Sequence, residues 1–282
     1  MKLRADSEHI SPTAFATGYF WYRHGLSHEA LAVAEGRRLD RGFRVLGGAI
    51  KLVGGFSIEA LLLARHKGID ALLTQEIDAG RVQQVVELAS GLSARGWRFA
   101  RKYGERVNYV ETDLLRVAEL KRRLLNKAGL AGPRHRVEVV DVLRDHGPDS
   151  LKALVKTLAP KAGTAIVSEG LLSYLDPATA RVVWRRIATT LAGFPYGVYL
   201  SDCYVRQDRY GLGGALFRGA IQRFVRGRMH VHFETEAEAH GILREAGFSD
   251  VKLHLPESIP ETRELAKVRG GNRVRVLQAT VG

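Results

Sequence analysis

The 282-residue chain holds a single cysteine, Cys203. One thiol excludes a disulfide within the chain and leaves a cysteine-built zinc site without its ligands. Long apolar runs are also missing: none approaches the roughly eighteen residues that a membrane-spanning helix needs. The first twenty residues carry charges and Pro12 where a secretory leader would have an apolar stretch, so a cytoplasmic location is expected. Internal repeats and low-complexity tracts are absent. Acidic residues are in short supply, with 30 Asp and Glu against 43 Lys and Arg, a formal charge of +13. Such an excess suits nucleic acid, an anionic membrane surface or anionic small molecules. Most of the arginines are scattered, which suits general solubility. One stretch differs: Tyr204 to His232 has Arg206, Arg209, Arg218, Arg223, Arg226 and Arg228 against Asp208 alone, a net of +5.

What is present is ordinary for a globular protein, 45% hydrophobic and 26% charged residues, enough for one large α/β domain or one with an appended cap. After a loosely attached start (residues 1–9), the aromatic stretch Thr17 to His28 must pack on something. Ser27 reads as the N-cap of a helix through about Leu39. Helical spacing recurs from Ser57 to Arg65 and from Gly68 to Glu76, with Gly47-Gly48 and Gly54-Gly55 as punctuation. About eighty residues of helix therefore precede the first strand. The expected division is a helical N-terminal cap over 1–80 and an α/β domain over 81–282.

From Val82 strands and helices alternate. Strands are expected at 85–89, 107–111, 136–142, 164–169 and 197–202, with helices at 94–103, 114–128, 150–159 and 177–191. A helix at 234–246 and two strands at 251–255 and 273–281 close the chain, and these last two can pair antiparallel. Apolar strands separated by helices indicate a parallel sheet covered on both faces. The arginine-rich stretch becomes a lid insertion over 204–232, with Phe217, Ile221, Phe224 and Val225 on one helical face. Docking of that segment to lipid or RNA is the sharper alternative.

The stretch Val85-Val86-Glu87-Leu88-Ala89-Ser90-Gly91 organises the rest. It reads as strand and tight turn, and the turn leads into a helix. Small residues let a ligand approach the backbone, and the following helix offers free N–H groups and the positive end of its dipole. This is the floor of a nucleotide-type pocket, or a plain βα corner. Full G-x-G-x-x-G spacing is absent, because Ala89 and Ser90 stand where glycines would. Asp113 closes the second strand 22 residues after Gly91, where an acid can accept from both hydroxyls of a ribose, or simply cap the helix at Leu114. Glu169 ends an apolar strand, where burying a carboxylate is costly unless it is paired. Arg65 taken alone is solvated surface, and Asp141 an ordinary loop acid.

Four segments in order carry a resemblance: Val85 to Gly91, Tyr109-Val110-Glu111-Thr112-Asp113-Leu114, Val140-Asp141-Val142-Leu143-Arg144-Asp145, and Ser168-Glu169-Gly170-Leu171-Leu172-Ser173-Tyr174-Leu175. Together, over about Ser57 to Ala180, they resemble the leucine carboxyl methyltransferase family, which includes polyketide carboxyl O-methyltransferases. The resemblance implies a doubly wound, seven-stranded Rossmann sheet of methyltransferase type with an antiparallel last strand. It also implies S-adenosylmethionine as cofactor. Glu87, Ala89 and Gly91 then form the cofactor turn and Asp113 takes the ribose. Asp141 and Val142 lie at the adenine edge, Glu169 faces the methionyl ammonium, and Arg65 clamps the methionyl carboxylate with a forked donor. The turn departs from the protein phosphatase branch, which has more glycine than Ala89-Ser90 supply. Thr13-Ala14 and Thr17-Gly18-Tyr19 are closer to bacterial members.

The expected acceptor is a small-molecule carboxylate, which needs no base, or a hydroxyl, which does. Tyr174, following Glu169, is the expected catalytic residue. Tyr19, Arg23, His24 and Tyr204 are expected to contact substrate, and a base would be His24, His230 or His232. His230-Val231-His232 and the pair His24 and His28 lack a supporting acid or cysteine cluster, so no catalytic metal is expected. Nucleic acid or an anionic membrane surface remains the competing partner. An RNA-directed methyltransferase, a dinucleotide oxidoreductase and a non-enzymatic nucleotide-binding module are the competing functions.

Overall fold

A computed structural model describes residues 12–206 and 230–282. Most of the expected lid, including Phe217, Ile221, Phe224 and Val225, lies outside the described residues. The described helices are α1 (Pro12–Arg23), α2 (Ala34–Gly54), α3 (Ile58–Asp78), α4 (Arg95–Tyr103), α5 (Leu115–Lys127), α6 (Leu151–Val155), α7 (Pro177–Leu191), α8 (Glu236–Glu245) and α9 (Arg263–Ala266). The strands are β1 (Gln84–Leu88), β2 (Asn108–Asp113), β3 (His135–Val139), β4 (Thr164–Ser168), β5 (Gly197–Cys203), β6 (Asp250–His254) and β7 (Arg275–Val281). They form a seven-stranded sheet in the order β3-β2-β1-β4-β5-β7-β6. Among the described residues no helix is long and apolar enough to cross a membrane.

The chain divides into two compact units: residues up to Arg44 with Gln83–Ala159, and Val45–Val82 with Pro160–Gly282. In the first, β1, β2 and β3 pair in parallel, Val86 opposite Val110 and Glu111 opposite Val137. Every residue of β1 is buried, as expected of a strand covered on both faces. Leu31, Ala94, Ala118, Leu125 and Val137 make one apolar cluster in this unit. Helix α1 lies against the turn after β1. A Cβ added to Gly18 would stand 2.7 Å from the Leu92 Cβ, so only glycine permits the approach.

In the second unit β4 and β5 are parallel, while β7 runs antiparallel to both β5 and β6. The expected antiparallel pairing of the last two strands is therefore present. Ile50, Phe56, Ile58, Leu61, Ala64 and Val274 are packed together, with Tyr204 resting on them.

Local chemistry explains the helix starts. Ser57, Ser150, Asp176 and Thr235 each accept a backbone N–H three residues on, and Pro177 occupies the first position of α7. Four expectations need correction. Ser27 does not cap a helix to Leu39. Instead His28 Nδ1 accepts from Ala30 N at 3.2 Å, starting a single 3-10 turn, and α2 begins at Ala34 and runs through Gly47-Gly48. The two helices expected over 57–76 are one. Gly68 is there for packing, since an added Cβ would lie 2.6 Å from Val276 Cγ2 of β7. Finally, β3 stops at Val139, which leaves Asp141 and Val142 in the following loop, and α6 is shorter than the expected 150–159.

Candidate functional site

Asp113 ends β2 in the first unit and Glu169 follows β4 in the second, at the carboxyl ends of parallel strands, where ligands of open α/β sheets sit; Tyr19 and Arg23 lie on α1, His24 directly after it, and Arg65 on α3. In the first unit the turn after β1 turns left-handed twice, with φ +51° at Ala89 and +52° at Gly91. Ser90 N donates to Thr112 O at 2.9 Å, and Gly91 N donates to Asp113 Oδ2 at 2.7 Å. The other Asp113 oxygen accepts from Leu114 N at 2.8 Å, and α5 starts at Leu115 without a side-chain cap. Burial raises the Asp113 pKa, and the N–H groups of Gly91 and Leu114 pull it partway back.

Beneath the turn lies a buried charge cluster that the sequence reading did not pick out. Lys121 Nζ contacts Glu111 Oε1 at 2.9 Å and donates to Ser90 Oγ at 3.1 Å; His135 Nε2 lies 2.7 Å from Glu111 Oε2. Glu87 is engaged in the interior as well. Its carboxylate meets Arg95 Nη1 at 2.5 Å and the Tyr109 hydroxyl at 2.8 Å, holding α4 to the sheet. Asp141 Oδ1 accepts from Leu143 N at 3.0 Å, and Arg144 stands 3.5 Å from its other oxygen. Val142 beside it is partly buried. On α1, Tyr19 accepts from Arg37 Nε at 3.1 Å, Arg23 pairs with Asp40 at 3.4 Å, and the His24 ring packs on Phe20.

In the second unit the structure brings Arg65, Glu169 and Tyr204 together. Arg65 Nε donates to Glu169 Oε1 at 2.9 Å, and Arg65 Nη1 lies 3.5 Å from Asp202 Oδ2. Burial works against the Arg65 charge, but Asp202, Glu169 and Tyr204 outweigh it and hold its pKa above the usual value. His66 Nδ1 meets Glu169 Oε2 at 2.8 Å. Gly170 turns at φ +69° and gives its N–H to Asp202 Oδ1 at 2.7 Å; an added Cβ there would sit 3.3 Å from Arg65 Nη1. Asp202 Oδ2 is buried with no hydrogen-bond donor, because the Arg65 contact is an ion pair without hydrogen-bond geometry. Burial raises the Asp202 pKa, and Arg65 opposes it.

Tyr174 sits on a 3-10 turn (Leu172–Tyr174), 39% exposed. Asp202 and His66 were not among the expected site residues. The signal for Asp202 was available, because it ends an apolar strand as Glu169 does. His66 carried none beyond its place next to Arg65.

Comparison with known proteins follows the same residues. The leucine carboxyl methyltransferase family model matches residues 53–188. A protein of Mycobacteroides abscessus, provisionally named an S-adenosyl-L-methionine-dependent methyltransferase, is 41% identical over 137 residues, 48% of this chain and 42% of the relative. A Mycolicibacterium gilvum protein of the same provisional name is 37% identical over 116 residues, 41% of this chain and 36% of the relative. The matched stretch thus spans about two fifths of the length of these curated relatives. Among solved structures, a protein of Thermobifida fusca provisionally described as a methyltransferase aligns with TM-score 0.62 at 15% identity, over 84% of this chain and 86% of its own. Human N-acetylserotonin methyltransferase in complex with S-adenosylmethionine aligns with TM-score 0.52 at 16% identity, over 76% and 51%. At these identities the structural matches establish the α/β fold.

Proposed function

We propose that the protein, whose residues 53–188 match the leucine carboxyl methyltransferase family model, is an S-adenosylmethionine-dependent O-methyltransferase acting on a small molecule in the cytoplasm. The observation that carries the reading is the arrangement around Asp202. A buried carboxylate oxygen without a donor lies beside the desolvated Arg65 guanidinium. An acceptor and a forked cation side by side complement the ammonium and carboxylate of an amino acid. The donor set therefore fits the methionyl half of the cofactor.

The remaining assignments follow. Arg65 holds the methionyl carboxylate, and Glu169 with Asp202 holds the ammonium. Asp113 accepts from the ribose hydroxyls, Asp141 and Val142 border the adenine, and Ala89 and Gly91 keep the turn free of bulk. Glu87 supports β1 from behind through Arg95 and Tyr109. When bound, the cofactor supplies a sulfonium-activated methyl group, so the chain's residues need only align donor and acceptor and exclude water. Tyr174 and Tyr204 are the side chains nearest in sequence to the ends of β4 and β5 that can border an acceptor. The sequence's resemblance to the polyketide carboxyl methyltransferase branch favours a carboxylate or hydroxyl as the acceptor class.

The test is incubation of the purified protein with methyl-labelled S-adenosylmethionine and a metabolite extract, followed by mass spectrometry. Label in a small molecule, absent with Asp113→Ala, is the expected result. Label confined to the RNA fraction would replace this reading with the nucleic-acid one.

A further inference from the structure

Between Ala89 and Gly91, the two left-handed residues of the turn after β1, stands Ser90. It is held at three atoms: its N–H donates to Thr112 O at 2.9 Å, its carbonyl accepts from Ser93 N at 3.1 Å, and its hydroxyl accepts from Lys121 Nζ at 3.1 Å. The first two are backbone bonds of an ordinary kind. The third comes from α5, and its donor is a lysine whose side chain has no exposure at all.

Lys121 is itself anchored. Its ammonium lies 2.9 Å from Glu111 Oε1, and the same oxygen accepts from Gly96 N, in the first turn of α4, at 3.2 Å. An added Cβ at Gly96 would stand 2.7 Å from the Glu111 side chain, so glycine there is what lets the carboxylate reach the helix start. The other Glu111 oxygen meets His135 Nε2 at 2.7 Å. For stability alone, apolar side chains of similar volume serve as well as a buried ion pair. An apolar residue in place of Lys121 could neither donate to Ser90 nor set a positive charge beside the turn. That charge reaches Asp113. Burial has the largest influence on this acid, but Lys121 favours its ionised form and does so more strongly than Glu111 opposes it.

Resting on the methyltransferase reading above, we propose that Lys121 is a positioning residue for the cofactor: acting through the Ser90 hydroxyl rather than by contact, it sets the shape of the Ala89-Ser90-Gly91 turn on which the nucleoside half lies. Gly91 and Asp113 share a hydrogen bond, so a change in the turn also moves the acceptor for the ribose.

The test is calorimetric titration of the full chain with S-adenosylhomocysteine, together with nitrogen-15 NMR of the Gly91 amide without ligand. Lys121→Met and Ser90→Ala are each expected to weaken binding about tenfold, the worth of one hydrogen bond from a charged donor. Lys121→Met should also shift the Gly91 amide. The double variant should lose about tenfold again rather than the product of the two losses, because both substitutions break the same link. His135→Leu removes a different partner of Glu111 and leaves Ser90 bonded; it should lower the melting temperature while leaving affinity and the Gly91 amide unchanged. Unchanged affinity in Ser90→Ala, multiplying losses in the double variant, or an equal loss in His135→Leu would overturn the proposal, and Ser90→Ala keeps it open to refutation even where Lys121→Met fails to fold. Binding by the wild type with unchanged variants removes the proposal alone, whereas no binding by the wild type removes the cofactor reading and the proposal with it.

Discussion

Gly91 donates its backbone N–H to the Asp113 carboxylate at 2.7 Å, joining the turn after β1 to the end of β2. The bond makes the turn's shape depend on an acid 22 residues further along. Because burial raises the Asp113 pKa, the ionised acid is held at some expense in the folded chain. Its own contribution to stability is present below the unfolded carboxylate pKa and lost as pH rises through the folded value. A hydrogen-bond donor brought to this carboxylate would favour its ionised form and lower the pKa.

Glu111 has the opposite sign. Burial alone would raise its pKa, but Lys121 and His135 together outweigh burial and lower it to about 2. A carboxylate lowered in this way stabilises the fold above its unfolded pKa and loses that contribution as pH falls toward the folded value. Acid unfolding monitored by circular dichroism should therefore show a steep loss between pH about 4.5 and about 2 that Glu111→Gln flattens. At pH 7 the same variant strands Lys121 in the interior and should cost about 3–5 kcal/mol.

Arg65 stands between the partly buried Glu169 and the buried Asp202. Arg65→Met would leave two carboxylates without their cation and should destabilise the fold by about 3–5 kcal/mol in urea titration. Arg65→Lys keeps the charge but not the fork, and should cost about half as much. Equal losses for the two variants would mean that charge alone matters at this position.

Ala89 holds φ +51° with a side chain that disfavours it. Ala89→Gly should raise stability by about 1 kcal/mol, read as a higher melting temperature, and Ala89→Val should lower it by more than that. No gain from glycine would indicate that the unfolded chain's added freedom cancels the relief of strain.

Much of the fold was legible from the chain. The seven strands fall within a few residues of their expected positions because each is an apolar run ended by a turn residue. Helix interruptions were less legible: Gly47, Gly48 and Gly68 look like breaks in one dimension. Yet Gly68 is inside a continuous helix because β7 comes close to it there. In the site, Arg65 and Glu169 carried a family signal and are found bonded to each other. Asp202, His66 and the Lys121–Glu111–His135 cluster depend on contacts between segments far apart in the chain, which spacing does not encode. Glu87 shows the reverse, a motif residue whose carboxylate is engaged by Arg95 and Tyr109.

Recognition of a sulfonium nucleoside is measured most directly by calorimetric titration with S-adenosylhomocysteine. Micromolar binding to the wild-type chain, weakened at least tenfold by Asp113→Ala, about 1.4 kcal/mol or more, is the predicted result. No heat of binding with the wild type, or unchanged affinity in the variant, would contradict it.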